Sequence, residues 1–217
     1  MKKHWVQVAI DTKDIETARK FAACALKAGA GWIEAGTPLI VYEGIQSIGE
    51  LVKVSGTTPV IADFKGQDGV YKYFSSAAEL GAKYAVVLGC MPDGSVLEAV
   101  RAKKENGIQV VCDMLSVRTE DLVKRAKELE ALGVDFIMVH LGFDESKYDK
   151  VKQPFDGVKE LSEAISLPIG VGVFTTEEAC RAIELGASWV VQGEPMLSAP
   201  DSLEQLTELV RAVEKYN

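Results

Sequence analysis

Asp63, Lys65 and Asp68 are the residues whose types and spacing most plainly suit chemistry. They stand in the run Asp63-Phe64-Lys65-Gly66-Gln67-Asp68, directly after an apolar segment. Side chains two apart on an extended strand share a side, so Asp63 and Lys65 are expected to point the same way. A lysine between carboxylates stays an ammonium ion, because nearby negative charge favours its charged form. Such an ammonium stabilises a developing enolate or alkoxide and can deliver a proton. Glu34 ends the apolar segment before this one. Two carboxylates at neighbouring strand ends, with waters and a substrate oxygen, suit Mg²⁺. Zn²⁺ prefers nitrogen and sulfur ligands, which are scarce here. His140 ends another apolar segment and is one of two histidines, the other being His4 near the terminus. Its place suits acid/base work.

Groups so far apart in sequence need a scaffold that gathers them. Eight short apolar runs rich in Val and Ile recur along the chain: 5–10, 32–36, 59–63, 84–89, 109–113, 135–140, 168–172 and 188–192. Their near-continuous apolarity suits strands buried on both faces. Between them lie stretches with helical period. In the stretch 119–132, for example, Leu122, Ala126, Leu129 and Leu132 share a face. A helix-ending glycine precedes a strand at Gly29, Gly81, Gly133 and Gly186, as a left-handed C-terminal cap requires.

Eight βα units in 217 residues predict a single compact (β/α)₈ TIM barrel that spans residues 1–217 as one domain. A doubly wound open sheet is the alternative, but it expects a glycine-rich first turn, and Ala9-Ile10-Asp11-Thr12-Lys13 has no glycine. Barrel enzymes carry their chemistry at the C-terminal ends of strands. Those positions hold Asp11, Glu34, Asp63, Lys65, Asp68, Asp113, His140, Gly172 and Gly193. Strand-end acids also cap helices, but five strands offering a carboxylate or histidine at one end point to a site.

Composition narrows the partners. Apolar residues make up 47% and charged residues 26%, which excludes a disordered or fibrous chain. The net charge of −8, with no basic block, argues against nucleic acid or an anionic membrane as partner. No run is apolar and long enough to span a bilayer. Lys2 and Lys3 are followed by Asp11 before any long apolar stretch, so no signal peptide is expected. Cys24, Cys90, Cys112 and Cys180 show no paired spacing and read as reduced core thiols of a cytoplasmic protein.

The Asp-x-Lys-x-x-Asp pattern at 63–68 resembles that of the orotidine-5′-phosphate decarboxylase superfamily. The resemblance runs from about residue 5 to 200. It includes Gln7-Val8-Ala9-Ile10-Asp11, Ile33-Glu34-Ala35-Gly36-Thr37-Pro38, Val111-Cys112-Asp113-Met114-Leu115-Ser116-Val117 and Val139-His140-Leu141-Gly142-Phe143-Asp144. Within the superfamily these stretches look most like the 3-hexulose-6-phosphate synthase branch, with the 3-keto-L-gulonate-6-phosphate decarboxylase branch second. The decarboxylase branch carries basic residues near Leu141 and Phe143, which this chain lacks.

The resemblance implies a Mg²⁺-dependent carbon–carbon lyase working through an enediolate, as an aldolase or a decarboxylase of a sugar phosphate. Glu34 and Asp63 would bind the metal, and Lys65 would stabilise the enediolate. His140 would move the proton. Asp11 and Asp113 would hold sugar hydroxyls, and Thr37, Gly172, Gly193 and Glu194 would line the rest of the substrate. Asp68 would reach the site of a second subunit in a homodimer with shared active sites.

The chain departs from the family where a substrate phosphate would be gripped. After the seventh strand it reads Gly170-Val171-Gly172-Val173-Phe174, and after the eighth Gly193-Glu194-Pro195. Glu194 about 5 Å from a phosphate would repel it by roughly 3 kcal/mol per charge pair. Pro195 also removes an N–H donor. Two readings stay open. Glu194 points away as a capping acid and phosphate binds through Gly172 and Gly193, or the substrate lacks a phosphate or holds it elsewhere.

Overall fold

The computed structural model describes residues 4–149 and 151–217; Lys2 and Lys3, and with them the terminal reading above, lie outside these. Eight parallel strands close into a barrel in the order β1 to β8. In chain order the elements are β1 (Trp5–Ile10), α1 (Ile15–Ala28), β2 (Trp32–Ala35), α2 (Thr37–Glu43), α3 (Gln46–Ser55) and β3 (Val60–Gly66). There follow α4 (Val70–Glu79), β4 (Tyr84–Leu88), α5 (Asp93–Asn106), β5 (Gln109–Asp113), α6 (Leu122–Leu132) and β6 (Phe136–Val139). The chain closes with α7 (Glu145–Tyr148), α8 (Val158–Ala164), β7 (Ile169–Gly172), α9 (Thr176–Glu184), β8 (Trp189–Gln192) and α10 (Ser202–Glu214). The expected barrel is thus present. The strand-to-helix connections after β2 and β6 each hold two helices instead of one, an elaboration that periodicity did not reveal. Among the described residues no helix is long and apolar enough to cross a membrane.

Strand alternation sorts the apolar residues into two layers. Val8, Ile10, Ile33, Val60, Ala62, Val87 and their like face outward and pack against the helices. Ala9, Trp32, Ile61, Val86, Val111, Met138, Trp189 and Val191 face inward and fill the barrel. At the N-terminal end the filling is aromatic. Trp5, Trp32, Tyr84, Phe136 and Trp189 contact one another with ring centroids 4.3 to 5.6 Å apart. This floor leaves only the C-terminal end open for chemistry.

The four helix-ending glycines take the left-handed backbone expected of them, at φ of 96° (Gly29), 96° (Gly81), 98° (Gly133) and 110° (Gly186). Gly107 does the same after α5. The predicted stretch 119–132 is helical from Leu122, with a 3₁₀ turn over Thr119–Asp121 in front. Of the four free thiols only Cys112 is fully buried, and Cys90 is exposed, so the reading of four core thiols is corrected there. A cysteine just past a strand end lies on loop surface, whatever its apolarity.

Gly170 is the residue that lets the floor form. A Cβ at that position would lie 2.2 Å from the Trp189 ring. Gly170→Ala should destabilise the barrel by ~1–3 kcal/mol, the usual penalty of overpacking. The thermal midpoint should then fall by roughly 2–12 °C in a chain of this size. An unchanged midpoint would show that the floor is looser than described.

Candidate active site

The C-terminal ends of the strands bring most of the expected residues into one ring. Glu34 and Asp113 lie on β2 and β5, Asp63 and Lys65 on β3. Asp11, His140 and Gly193 follow β1, β6 and β8 directly, and Gly172 ends β7. Asp11, Glu34, Asp63, Lys65, Asp113 and His140 all sit within electrostatic reach of others in the set. Asp68 does not join them. It lies on the surface loop after β3, and no hydrogen bond or ion pair ties it to its own chain among the described residues.

Lys65 reaches Asp63 for a reason other than strand alternation. The β3–β4 register shifts between Ala62 and Gly66, and Lys65 takes a left-handed backbone at φ 42°. Such irregularities re-aim side chains and carry strain that the surroundings must hold. Here the Lys65 ammonium folds back onto Asp63 Oδ2 as an ion pair, and the Lys65 N–H donates to Asp63 Oδ1 at 3.2 Å. Thr37, at the start of α2, donates its hydroxyl to Asp63 Oδ2 at 2.9 Å, with the Asp63 carbonyl 3.0 Å away. Thr37 therefore steadies Asp63.

Electrostatics explain the charge states. Burial works against the Lys65 ammonium, but Asp63, Asp113 and Glu34 outweigh it and hold the pKa far above the ordinary lysine value. Lys65 is a cation at any physiological pH. Glu34 is held well above the usual carboxylate range, first by burial and then by the charges of Asp63 and Asp11. Asp11 is raised for the same two reasons, though its side chain stands open to solvent at the mouth. It rests against Gly36, where a Cβ would lie 2.0 Å from Asp11 Oδ1.

His140 and Asp113 form a dyad, with Nδ1 2.8 Å from Asp113 Oδ2. The Leu115 N–H donates to Asp113 Oδ1 at 2.8 Å. Burial pushes the imidazole down, but the Asp113 charge and hydrogen bond prevail and raise it above the ordinary histidine value. Burial likewise opposes the Asp113 carboxylate, and His140 nonetheless holds it below its usual range. A carboxylate on Nδ1 leaves Nε2 as the nitrogen available for proton transfer. Asp113 is fully buried, and both its oxygens have partners within the chain.

Gln7 joins the site, although the sequence reading gave it no role. Its amide Nε2–H donates to Glu34 Oε2, and its Oε1 accepts from the Trp189 indole at 3.0 Å. The indole has only a donor, so it fixes which way the amide faces. The signal lay in β1, where Gln7 breaks an apolar run on the same inward side as Ala9 and Asp11.

Four carboxylates against one lysine leave the ring with surplus negative charge, which a divalent cation would offset. Among the described residues no three His, Cys, Asp or Glu side chains converge as a metal cage. Glu34 and Asp63 are hard oxygen donors of the kind that Mg²⁺ takes. Near the rim, Glu194 Oε2 accepts from the Ser198 N–H at 3.2 Å and the Ser198 hydroxyl at 2.6 Å. It acts as a capping acid, yet its charge still reaches Asp11.

Known proteins share this arrangement of strands. The family model described as orotidine 5′-phosphate decarboxylase / HUMPS family matches residues 5–208. The 3-hexulose-6-phosphate synthase 3 of Staphylococcus saprophyticus is 33% identical over 161 residues, 74% of this chain and 74% of that protein. A crystal structure of a 3-hexulose-6-phosphate synthase matches with a TM-score of 0.88 at 31% identity, covering 96% of this chain and 99% of the other. A 3-keto-L-gulonate-6-phosphate decarboxylase from Vibrio cholerae matches with a TM-score of 0.83 at 19% identity, covering 99% of each chain. That last likeness is one of fold alone. With its motifs in order around one barrel mouth, the chain belongs to the orotidine 5′-phosphate decarboxylase / HUMPS family.

Proposed function

We propose that the chain is a Mg²⁺-dependent carbon–carbon lyase that forms an enediolate from a ketose and joins it to formaldehyde, as a 3-hexulose-6-phosphate synthase does. The observation that carries this reading is the buried Lys65–Asp63 ion pair facing the His140–Asp113 dyad. One pair stabilises negative charge and the other moves a proton. Their neighbour Glu34, with Asp63, would hold the metal. When bound, Mg²⁺ would polarise the ketose carbonyl and acidify the adjacent carbon.

The protein groups then divide the work. His140 Nε2 takes a proton from the hydroxymethyl carbon beside the carbonyl, while Asp113 steadies the imidazolium. The electron pair moves onto the carbonyl oxygen, and the Lys65 ammonium stabilises the charge that develops there. The carbon nucleophile adds to formaldehyde, and the new alkoxide recovers the proton from His140. Asp11, exposed at the mouth, accepts hydrogen bonds from sugar hydroxyls. Leu141 is buried and Phe143 exposed, and neither is basic, which favours the aldol over the decarboxylase reading.

The working unit is a homodimer, in which Asp68 of each subunit completes the partner's site. Its lack of a partner in its own chain supports this. Four free thiols agree with a reducing, cytoplasmic setting.

Two outcomes are expected. Purified protein with Mg²⁺ should condense formaldehyde with a ketopentose, and Lys65→Ala should lower kcat by about 10²–10³-fold. Release of CO₂ from 3-keto-L-gulonate 6-phosphate without any condensation would make the chain a decarboxylase instead. The base form of His140 is the active one, so kcat/KM should fall as pH drops through a midpoint above the ordinary histidine value of about 6.5. In Asp113→Asn the largest raising charge is gone while burial stays, so that limb should move to lower pH. An unmoved limb would remove His140 from the proton-transfer role.

A further inference from the structure

Loops after the seventh and eighth strands commonly cradle a phosphate in (β/α)₈ barrels, with free N–H groups at a helix N-terminus. In this chain several of those donors are already engaged. After β7, the Val173 N–H donates to the Val191 carbonyl at 2.9 Å. The Phe174 and Thr175 N–H groups donate to Glu178 Oε2 at 2.7 and 3.2 Å. The start of α9 thus holds a carboxylate of its own, closed by the reciprocal Glu178 N–H to Thr175 Oγ1 bond at 3.1 Å.

The β8 side repeats the pattern. The Leu197 N–H donates to the Gly193 carbonyl at 3.3 Å, and the Ser198 N–H and hydroxyl are held by Glu194. Pro195 has no N–H. The turn at Gly193 faces a carboxylate, since a Cβ there would lie 3.8 Å from Asp11 Oδ2. Within the two loops no cation offsets Glu178 and Glu194. Arg181 is the sole Lys or Arg between residues 166 and 200, and it pairs with Glu184 on the outer helix.

A rim of this kind is rich in carboxylate acceptors, and Glu178 and Glu194 have taken several of its donors. A phosphate dianion is acceptor-only and negative, so it meets repulsion there and loses those partners. A hydroxyl can donate, and Asp11 and Glu194 can accept from it. We propose that the distal end of the substrate is a neutral hydroxylated terminus, not a phosphate ester, and that Glu178 and Glu194 set this preference. The inference rests on the enediolate-forming lyase reading above and names the substrate class for that site.

The test compares D-ribulose with D-ribulose 5-phosphate in formaldehyde condensation by the full chain with Mg²⁺, with inorganic phosphate as a competitor. The free ketose should have a kcat/KM higher by about tenfold or more, and inorganic phosphate should leave its KM unchanged. Glu194→Gln keeps an oxygen for Ser198 and removes the charge. It should raise the ratio of kcat/KM for the ester over the free ketose by about tenfold. Preference for the ester in the wild type, with inorganic phosphate competing, would overturn the inference while leaving the lyase reading intact. So would an unchanged ratio in the variant. Turnover of neither ketose by folded protein would contradict the lyase reading itself, and the inference would fall with it.

Discussion

The Lys65–Asp63 pair is the interaction on which the mouth of this barrel depends. Asp11, Glu34, Asp63 and Asp113 converge there, and one ammonium lies among them. Carboxylates so close, three of them buried, resist being charged together. The chain answers with local devices. Lys65 is turned onto Asp63 by a break in β3 register, Thr37 donates to the same Asp63 oxygen, and His140 pairs with Asp113. Glu34 is left with the largest share of the strain, held well above the usual carboxylate range. On the proposed reading, such a site would take a divalent cation and stabilise a substrate carbonyl oxygen that gains charge.

Floor and mouth are mechanically joined. The aromatic cluster at the N-terminal end includes Trp189, and Trp189 fixes the amide of Gln7, which holds Glu34. Packing at one end therefore orients a carboxylate at the other. Gly170 takes part indirectly, because only a residue without Cβ admits the Trp189 ring. In the proposed metal site, the residues that orient Glu34 would matter nearly as much as Glu34 itself.

The barrel was legible in the sequence because each strand is a short apolar run and four helix ends share one glycine-capped junction. Strand-end positions singled out Asp11, Glu34, Asp63, Lys65, Asp113 and His140, and these residues lie together at one barrel end. What stayed hidden was contact at a distance. Nothing local shows that Gln7 bridges Trp189 and Glu34, residues 182 and 27 positions away. The grouping of Lys65 with Asp63 was expected from strand alternation, whereas a left-handed residue in an irregular strand produces it. The acids at Glu178 and Glu194 were visible as residue types, but their capture of turn N–H groups is a matter of geometry.

The central claim is that this ring ionises the carbon beside a ketose carbonyl. The most direct measurement is proton exchange in D₂O by NMR, with Mg²⁺ and a ketopentose, free or phosphorylated, and no formaldehyde. The account predicts exchange at the hydroxymethyl carbon in the wild type and its loss in His140→Gln. No exchange into either sugar by folded, metal-loaded protein would contradict it.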